Sequence, residues 1–155
     1  MAQTIVGVIS DTHGLLRPEA LAALGGSHLI IHAGDVGDGA ILDRLGAIAP
    51  TFAVRGNIDA GPWAARLPPR ATVDVGGRRF YVLHDIAELD LDPPAAGLAA
   101  VVYGHSHRPS IAMREGVLYL NPGSAGPRRF KLPITLARII VSSAEMQPEI
   151  VELVV

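Results

Sequence analysis

Cysteine is absent from the 155 residues, which excludes disulfides, redox thiols and any thiolate metal site. Lysine is nearly absent too. Lys131 stands alone among 13 basic residues, which 15 acidic residues outnumber to leave a net charge of −2. That balance indicates no nucleic-acid or membrane partner. No apolar stretch approaches the ~18 residues of a membrane span, and no charged n-region followed by an apolar segment precedes the first strand. The expectation is a cytoplasmic protein. Aromatics are scarce at 5%, yet hydrophobic residues reach 49% and charged residues only 18%. Such a chain has ample material for one packed core, so residues 1–155 read as a single domain without repeats or linkers.

The apolar material falls into short runs. Gln3–Ser10, His28–His32 and Thr51–Arg55 read as buried strands. A helix starting at Pro18 and stopped by Gly25-Gly26, and another over about Gly39–Ala49 capped by Asp38 and closed by Pro50, separate them. This β-α-β-α-β order implies parallel strands. The second half reads differently. Thr72–Val75 and Arg78–His84 flank the hairpin signal Gly76-Gly77, and Ser110–Met113 and Val117–Leu120 flank Glu115-Gly116. Ala99–Tyr103, Pro133–Ser142 and Met146–Val154 supply further strands, with a loop or short helix around Pro93-Pro94. Mixed strands with helices clustered early predict two packed sheets with helices on their outer faces.

Polar residues follow five of these runs: Asp11 and His13, Asp35, Asn57, His84, and His105 with His107. Oxygen and imidazole donors of this kind suit divalent ions, and they converge at strand carboxyl ends, where open α/β sheets bind ligands. Singly, each has an ordinary reading. Asp35 fits a turn or helix cap, Asn57 after Gly56 is common turn chemistry, and a histidine ending a strand is commonly structural. The spacing Asp11-x-His13 in extended backbone would point both side chains one way. His105 and His107 follow a glycine turn with the same spacing. Together the seven predict a metal centre.

The series Asp11-x-His13, Gly34-Asp35, Gly56-Asn57, His84 and Gly104-His105-x-His107 resembles the calcineurin-like metallophosphoesterase superfamily. Asn121-Pro-Gly-Ser124 followed by Pro127-Arg128 is similar to its small YfcE-like phosphodiesterases, and the resemblance spans Ile5 to about Arg138. It implies a four-layer αββα sandwich of two mixed β-sheets. It also implies two ions, one held by Asp11, His13, Asp35 and His107, the other by Asp35, Asn57, His84 and His105. Asp35 would bridge them, and Asp35, Asn57 and His84 would act in catalysis. A hydroxide between the ions would attack a small phosphodiester in line with the leaving oxygen. Mn²⁺ is the favoured ion, with Zn²⁺, Fe²⁺ or Ni²⁺ as alternatives.

Departures from the family pattern bear on substrate. Ile58 stands where many members carry a histidine that protonates the leaving group. Asp38 and Gly39 stand where phosphoprotein phosphatases carry an aspartate orienting that histidine and a phosphate-clamping arginine. These losses favour a small diester. A phosphomonoesterase, a cyclic-nucleotide phosphodiesterase and a non-catalytic scaffold of the retromer-subunit type are the alternatives. Asp85 follows His84 where relatives carry glycine and histidine. Asp59 fits either support of a ligand imidazole or a turn cap, and His32 either core packing or support of the centre. Asn121-Pro-Gly-Ser124 reads as a turn shaping the site floor. Arg128 and Arg129 fit a phosphate contact or a surface or interface role, and the C-terminal strands are compatible with a homodimer.

Overall fold

A computed structural model describes residues 2–155. Ten strands form two five-stranded mixed sheets. The first sheet contains β1 (Thr4–Ile9), β2 (Leu29–His32), β3 (Thr51–Ala53), β9 (Thr135–Val141) and β10 (Met146–Glu152) in the order β10-β9-β1-β2-β3. The second contains β4 (Arg70–Val75), β5 (Arg78–Leu83), β6 (Ala100–Val102), β7 (Ser110–Arg114) and β8 (Val117–Asn121) in the order β4-β5-β6-β8-β7. As expected from the early βα alternation, β1, β2 and β3 pair in parallel. β5, β6 and β8 do the same in the second sheet. Both glycine-marked hairpins form, and their turn residues Gly76, Gly77, Glu115 and Gly116 all take positive φ, as two-residue turns of the primed type demand.

Period-two alternation sorts the side chains into layers. Val6, Val8, Ile31, Phe80, Val82, Val102, Leu120 and Ile139 form the core between the sheets, each 1% exposed or less. The opposite face of the first sheet packs Ile9 and Ile30 against α1 (Pro18–Leu24) and α2 (Gly39–Gly46) through Ala20, Leu24, Ile41 and Leu45. Burying a Leu or Ile side chain contributes about 1.5–3 kcal/mol, so this layer is strongly attached. The cap of α2 is as expected, with Asp38 accepting from the Ala40 amide at 3.0 Å. The helix stops at Gly46, three residues short of the expected Ala49, because the Ile48 amide reaches only to Leu45 O and tightens the last turn.

The fourth layer carries no α-helix. Ile86, Leu89, Leu91 and Leu98, from a 3₁₀ turn at Ile86–Glu88 and the turns after it, cover Val101 and Tyr119 on the second sheet. Two prolines at 93 and 94 break any helix across that segment. No helix among the described residues is long and apolar enough to cross a membrane.

Candidate metal centre

The five donor-bearing loops leave the carboxyl ends of β1, β2 and β3 in one sheet and of β5 and β6 in the other. Backbone hydrogen bonds join them beyond the strands. Asp11 N donates to Gly34 O (3.0 Å), His13 N to Asp35 O (2.9 Å) and Gly104 N to His84 O (2.9 Å).

Backbone conformation then aims the side chains, and here extended geometry is overturned. Asp11 (φ 55°), His13 (47°), Asp35 (57°), His105 (72°) and His107 (63°) are all left-handed, so the Asp-x-His and His-x-His pairs converge through turns. Only Glu115 and Phe130 share this conformation among described non-glycine residues. It costs about 1–2 kcal/mol per residue and concentrates at functional sites.

Asp11 is fully buried. Its Oδ2 accepts from Ser10 Oγ (2.7 Å) and from the His105 amide (3.1 Å). This turns Oδ1 toward three imidazoles: His107 Nε2 at 3.4 Å, His13 Nε2 at 3.7 Å and His84 Nε2 at 3.9 Å. Asp35 Oδ1 accepts from the Ile58 amide (3.1 Å), leaving Oδ2 3.2 Å from His84 Nε2 and 3.5 Å from His13 Nε2. His84 Nδ1 donates to Ala33 O at 2.8 Å, which directs the Nε2 lone pair of the neutral ring at both carboxylates. The His84–Asp35 contact is not aligned as a hydrogen bond: His84 Nε2 is buried without a partner, as are Asp11 Oδ1, His13 Nε2 and His107 Nδ1.

Buried polar atoms almost always find partners. Three of these orphans, Asp11 Oδ1, His13 Nε2 and His84 Nε2, face one space, and carboxylate and imidazole donors without a thiolate fit divalent cations such as Mn²⁺, Fe²⁺ or Zn²⁺. Two ligand groups emerge, Asp11–His13–His107 and Asp11–Asp35–His84, in each of which the donor atoms lie within 4.8 Å of one another. Asn57 and His105 lie at the rim. Asn57 is exposed and lines a cavity of about 160 Å³ with Arg55, Gly56, His84, Asp85 and Glu88. The exposed His105 ring sits 5.2 Å from that of His84, with Nε2 3.8 Å from Asp85 Oδ2.

The electrostatics match this packing. Burial pushes the Asp35 carboxyl up, but His84, the Ile58 amide and His13 outweigh it and hold the group at about 2. At His84, burial disfavours the charged ring, yet Asp35, the Ala33 carbonyl and Asp11 prevail and raise its pKa. Burial lowers that of His107; Asp11 opposes the shift, and Arg129 and His13 add to it.

Asp59 supports no imidazole. It is a clasp: Oδ2 accepts from Gly56 N (2.8 Å) and Val36 N (3.2 Å), and Oδ1 from Gly37 N (2.9 Å), tying the Asp35 loop to the Asn57 loop. His32 is fully buried behind them, with Nδ1 accepting from Gly34 N (3.1 Å) and Nε2 3.0 Å from Thr12 Oγ1. Thr12 in turn donates to Val36 O (2.8 Å), so His32 Nε2 carries the proton and the ring is neutral. Burial holds its pKa down at about 4, against the pull of Asp11 and Asp59. Asn121 and Ser124 shape the floor as expected. Asn121 Nδ2 donates to Gly104 O and Ser106 Oγ, each at 3.1 Å, and Ser124 Oγ donates to Asp11 O at 2.9 Å. Two glycines permit the close approach of the loops: a Cβ on Gly56 would strike Asp35, and one on Gly104 would strike Ser10 and Asp11. Sequence reasoning missed Ser10 and Thr12, whose hydroxyls carry no motif beyond lying next to Asp11.

Two stacked mixed sheets, with oxygen and imidazole donors converging from the carboxyl ends of strands in both, define a metal-binding protein of the metallophosphoesterase fold. Residues 5–144 match the calcineurin-like phosphoesterase superfamily domain, and the chain belongs to that family. It is 35% identical over 133 residues to a probable metallophosphoesterase of Methanocaldococcus jannaschii, covering 77% of this chain and 67% of the relative. A probable metallophosphoesterase of Methanothermobacter thermautotrophicus is 30% identical over 159 residues, covering 95% and 91%. Three solved structures share the fold: an archaeal phosphodiesterase (TM-score 0.79, 21% identity, 97% of this chain and 100% of that one), the phosphoesterase YfcE of E. coli (0.69, 22%, 88% and 91%), and Vacuolar Protein Sorting 29 of Cryptosporidium parvum (0.77, 17%, 97% and 98%).

Proposed function

We propose that this phosphoesterase-family protein is a divalent-metal-dependent phosphodiesterase acting on small diesters at a two-ion centre. Asp11, His13, Asp35 and His107 would hold one ion, and Asp35, Asn57, His84 and His105 the other. Mn²⁺ is favoured by the mixed oxygen and imidazole donors. Ions bound there would neutralise phosphoryl charge and lower the pKa of water enough to supply a nucleophile near neutrality.

The observation that carries the diester reading is the charge of the cavity beside His84. Arg55 is its only cation, set against Asp85 and Glu88. A diester brings one negative charge to that wall, whereas a monoester near neutrality brings close to two. The second would meet carboxylates. The Ile58 side chain, 48% exposed, offers no proton to a leaving oxygen, while its amide holds Asp35 in place. Turnover should therefore rise steeply as the leaving group becomes more acidic. The shared fold of the archaeal phosphodiesterase supports the same reading.

A scaffold role, favoured by the likeness to Vacuolar Protein Sorting 29, leaves three buried donor atoms that face one another without a purpose. The test is to strip metal, restore Mn²⁺ and compare bis-p-nitrophenyl phosphate with p-nitrophenyl phosphate. The diester is expected to turn over faster, and only with metal. Metal-dependent preference for the monoester would overturn the diester reading. No turnover of either, with fewer than two ions bound per chain, would overturn the enzyme.

A further inference from the structure

A second surface has the reverse charge of the Asp85–Glu88 wall. The segment Pro127-Arg-Arg-Phe-Lys-Leu132 carries three cations and no acid. They flank one exposed aromatic. Phe130 is 91% exposed and sits on left-handed backbone, φ 54°. The turn that presents it is closed by Leu132 N donating to Arg129 O (3.1 Å) and by Arg128 Nη1 donating to Leu132 O (3.2 Å). Its root is fixed to the metal-side loops, since Ser124 bonds Asp11 O and Arg17 Nη2 donates to Gly126 O at 3.3 Å.

Phe130, Lys131, Leu132 and Arg108 line a cavity of about 500 Å³, within the range of small-ligand sites. It adjoins the metal side directly. Arg108 follows His107 in the chain, and Arg129 is near enough for its charge to act on the His107 ring. A large aromatic held out by a strained, cross-braced turn has no packing role. With cations around it, it suits a planar ligand group attached to phosphate.

We propose that this surface binds the retained arm of the substrate, and that the arm is a nucleotide. The base stacks on Phe130, and a phosphate beyond the scissile one faces Lys131 and Arg108. This rests on the phosphodiesterase reading and extends it to nucleotidyl diesters.

The test holds the leaving group constant and varies the retained arm. Three p-nitrophenyl diesters are compared: methyl p-nitrophenyl phosphate, thymidine 5′-(p-nitrophenyl phosphate), and the latter bearing a 3′-phosphate. In the wild type, kcat/KM is expected to rise along that series. Phe130→Leu, which keeps an apolar side chain without a ring, should cut the thymidyl-to-methyl ratio by about 5-fold or more, the lower end of base stacking on an aromatic. Phe130→Trp should keep that ratio. Lys131→Ala should remove the added preference for the 3′-phosphate. Equal kcat/KM for all three substrates overturns the subsite while leaving the phosphodiesterase reading intact.

Binding of thymidine 3′,5′-bisphosphate to the metal-stripped protein by calorimetry reads the subsite without catalysis. It should weaken about 5-fold or more in Phe130→Leu and persist in Phe130→Trp. No binding to the wild type, or equal binding to both variants, contradicts the proposal. So does a Phe130→Leu protein that changes from dimer to monomer with its substrate ratio unaltered, which would make the surface a self-interface.

Discussion

The two halves of the metal centre are built differently. On one side Asp11, His13 and His107 converge from buried, left-handed backbone, with Asp11 fixed by Ser10 and the His105 amide. On the other, Asp35 and His84 are equally well held, but Asn57 and His105 stand exposed beside an open cavity. The first group is preorganised by the fold. For a second ion to bind as proposed, Asn57 and His105 would have to turn inward to join Asp35 and His84. Ordering an exposed side chain costs up to about 2 kcal/mol, so two ions of unequal affinity are predicted.

The largest effect should come from the residue proposed to serve both ions. Asp35→Asn is expected to release both ions and reduce turnover by about two orders of magnitude or more, checked by metal analysis and by the bis-p-nitrophenyl phosphate rate. Full activity in that variant would remove Asp35 from the bridging role, and Asp11→Asn should cost the ion on the Asp11–His13–His107 side first.

Next comes the clasp. Asp59→Asn leaves a single acceptor oxygen for three amides. It should weaken metal affinity on the Asp35–His84 side by about 10–100-fold and spare the Asp11–His13–His107 side. Equal weakening of both sides would erase the distinction. Gly104→Ala inverts the target, driving a Cβ against Ser10 and Asp11. A loss of about 1–3 kcal/mol is expected in denaturant melts of metal-free protein.

The rim histidine should matter less than the buried one. His105→Ala is expected to weaken only the looser ion, whereas His107→Ala should abolish the tighter one; calorimetric titration of each variant separates them. The smallest effect concerns His32. Its pKa is held at about 4, against an ordinary value near 6.5. The unfolded chain therefore takes up a proton that the fold refuses. Stability from this group is complete above pH 6.5 and falls as the pH drops from there to about 4. Melting temperature of the metal-free protein should decline by several degrees across that window, and His32→Gln should flatten the decline.

Much of this was legible in the sequence for definable reasons. Strand runs and hairpin glycines have local signatures, so both sheets and both tight turns follow from pattern. The seven donors were legible because a polar residue after an apolar run is rare enough to notice when it recurs five times. Their backbone was not: left-handed φ at Asp11 and His13 depends on loop-to-loop hydrogen bonds with Gly34 and Asp35, which no spacing encodes. The same holds for Asp59, whose three amide donors come from segments over twenty residues away in two cases. The absence of an α-helix over the second sheet was half legible: Pro93 and Pro94 pointed to a loop or short helix there, whereas the layering implied by the family resemblance pointed to a helix.

The most direct test of the unequal halves is a calorimetric Mn²⁺ titration of the metal-stripped protein. Two steps are predicted, the tighter lost in His107→Ala and the weaker lost in Asn57→Ala. Two indistinguishable steps, or a single ion whose binding both variants abolish, would contradict the account.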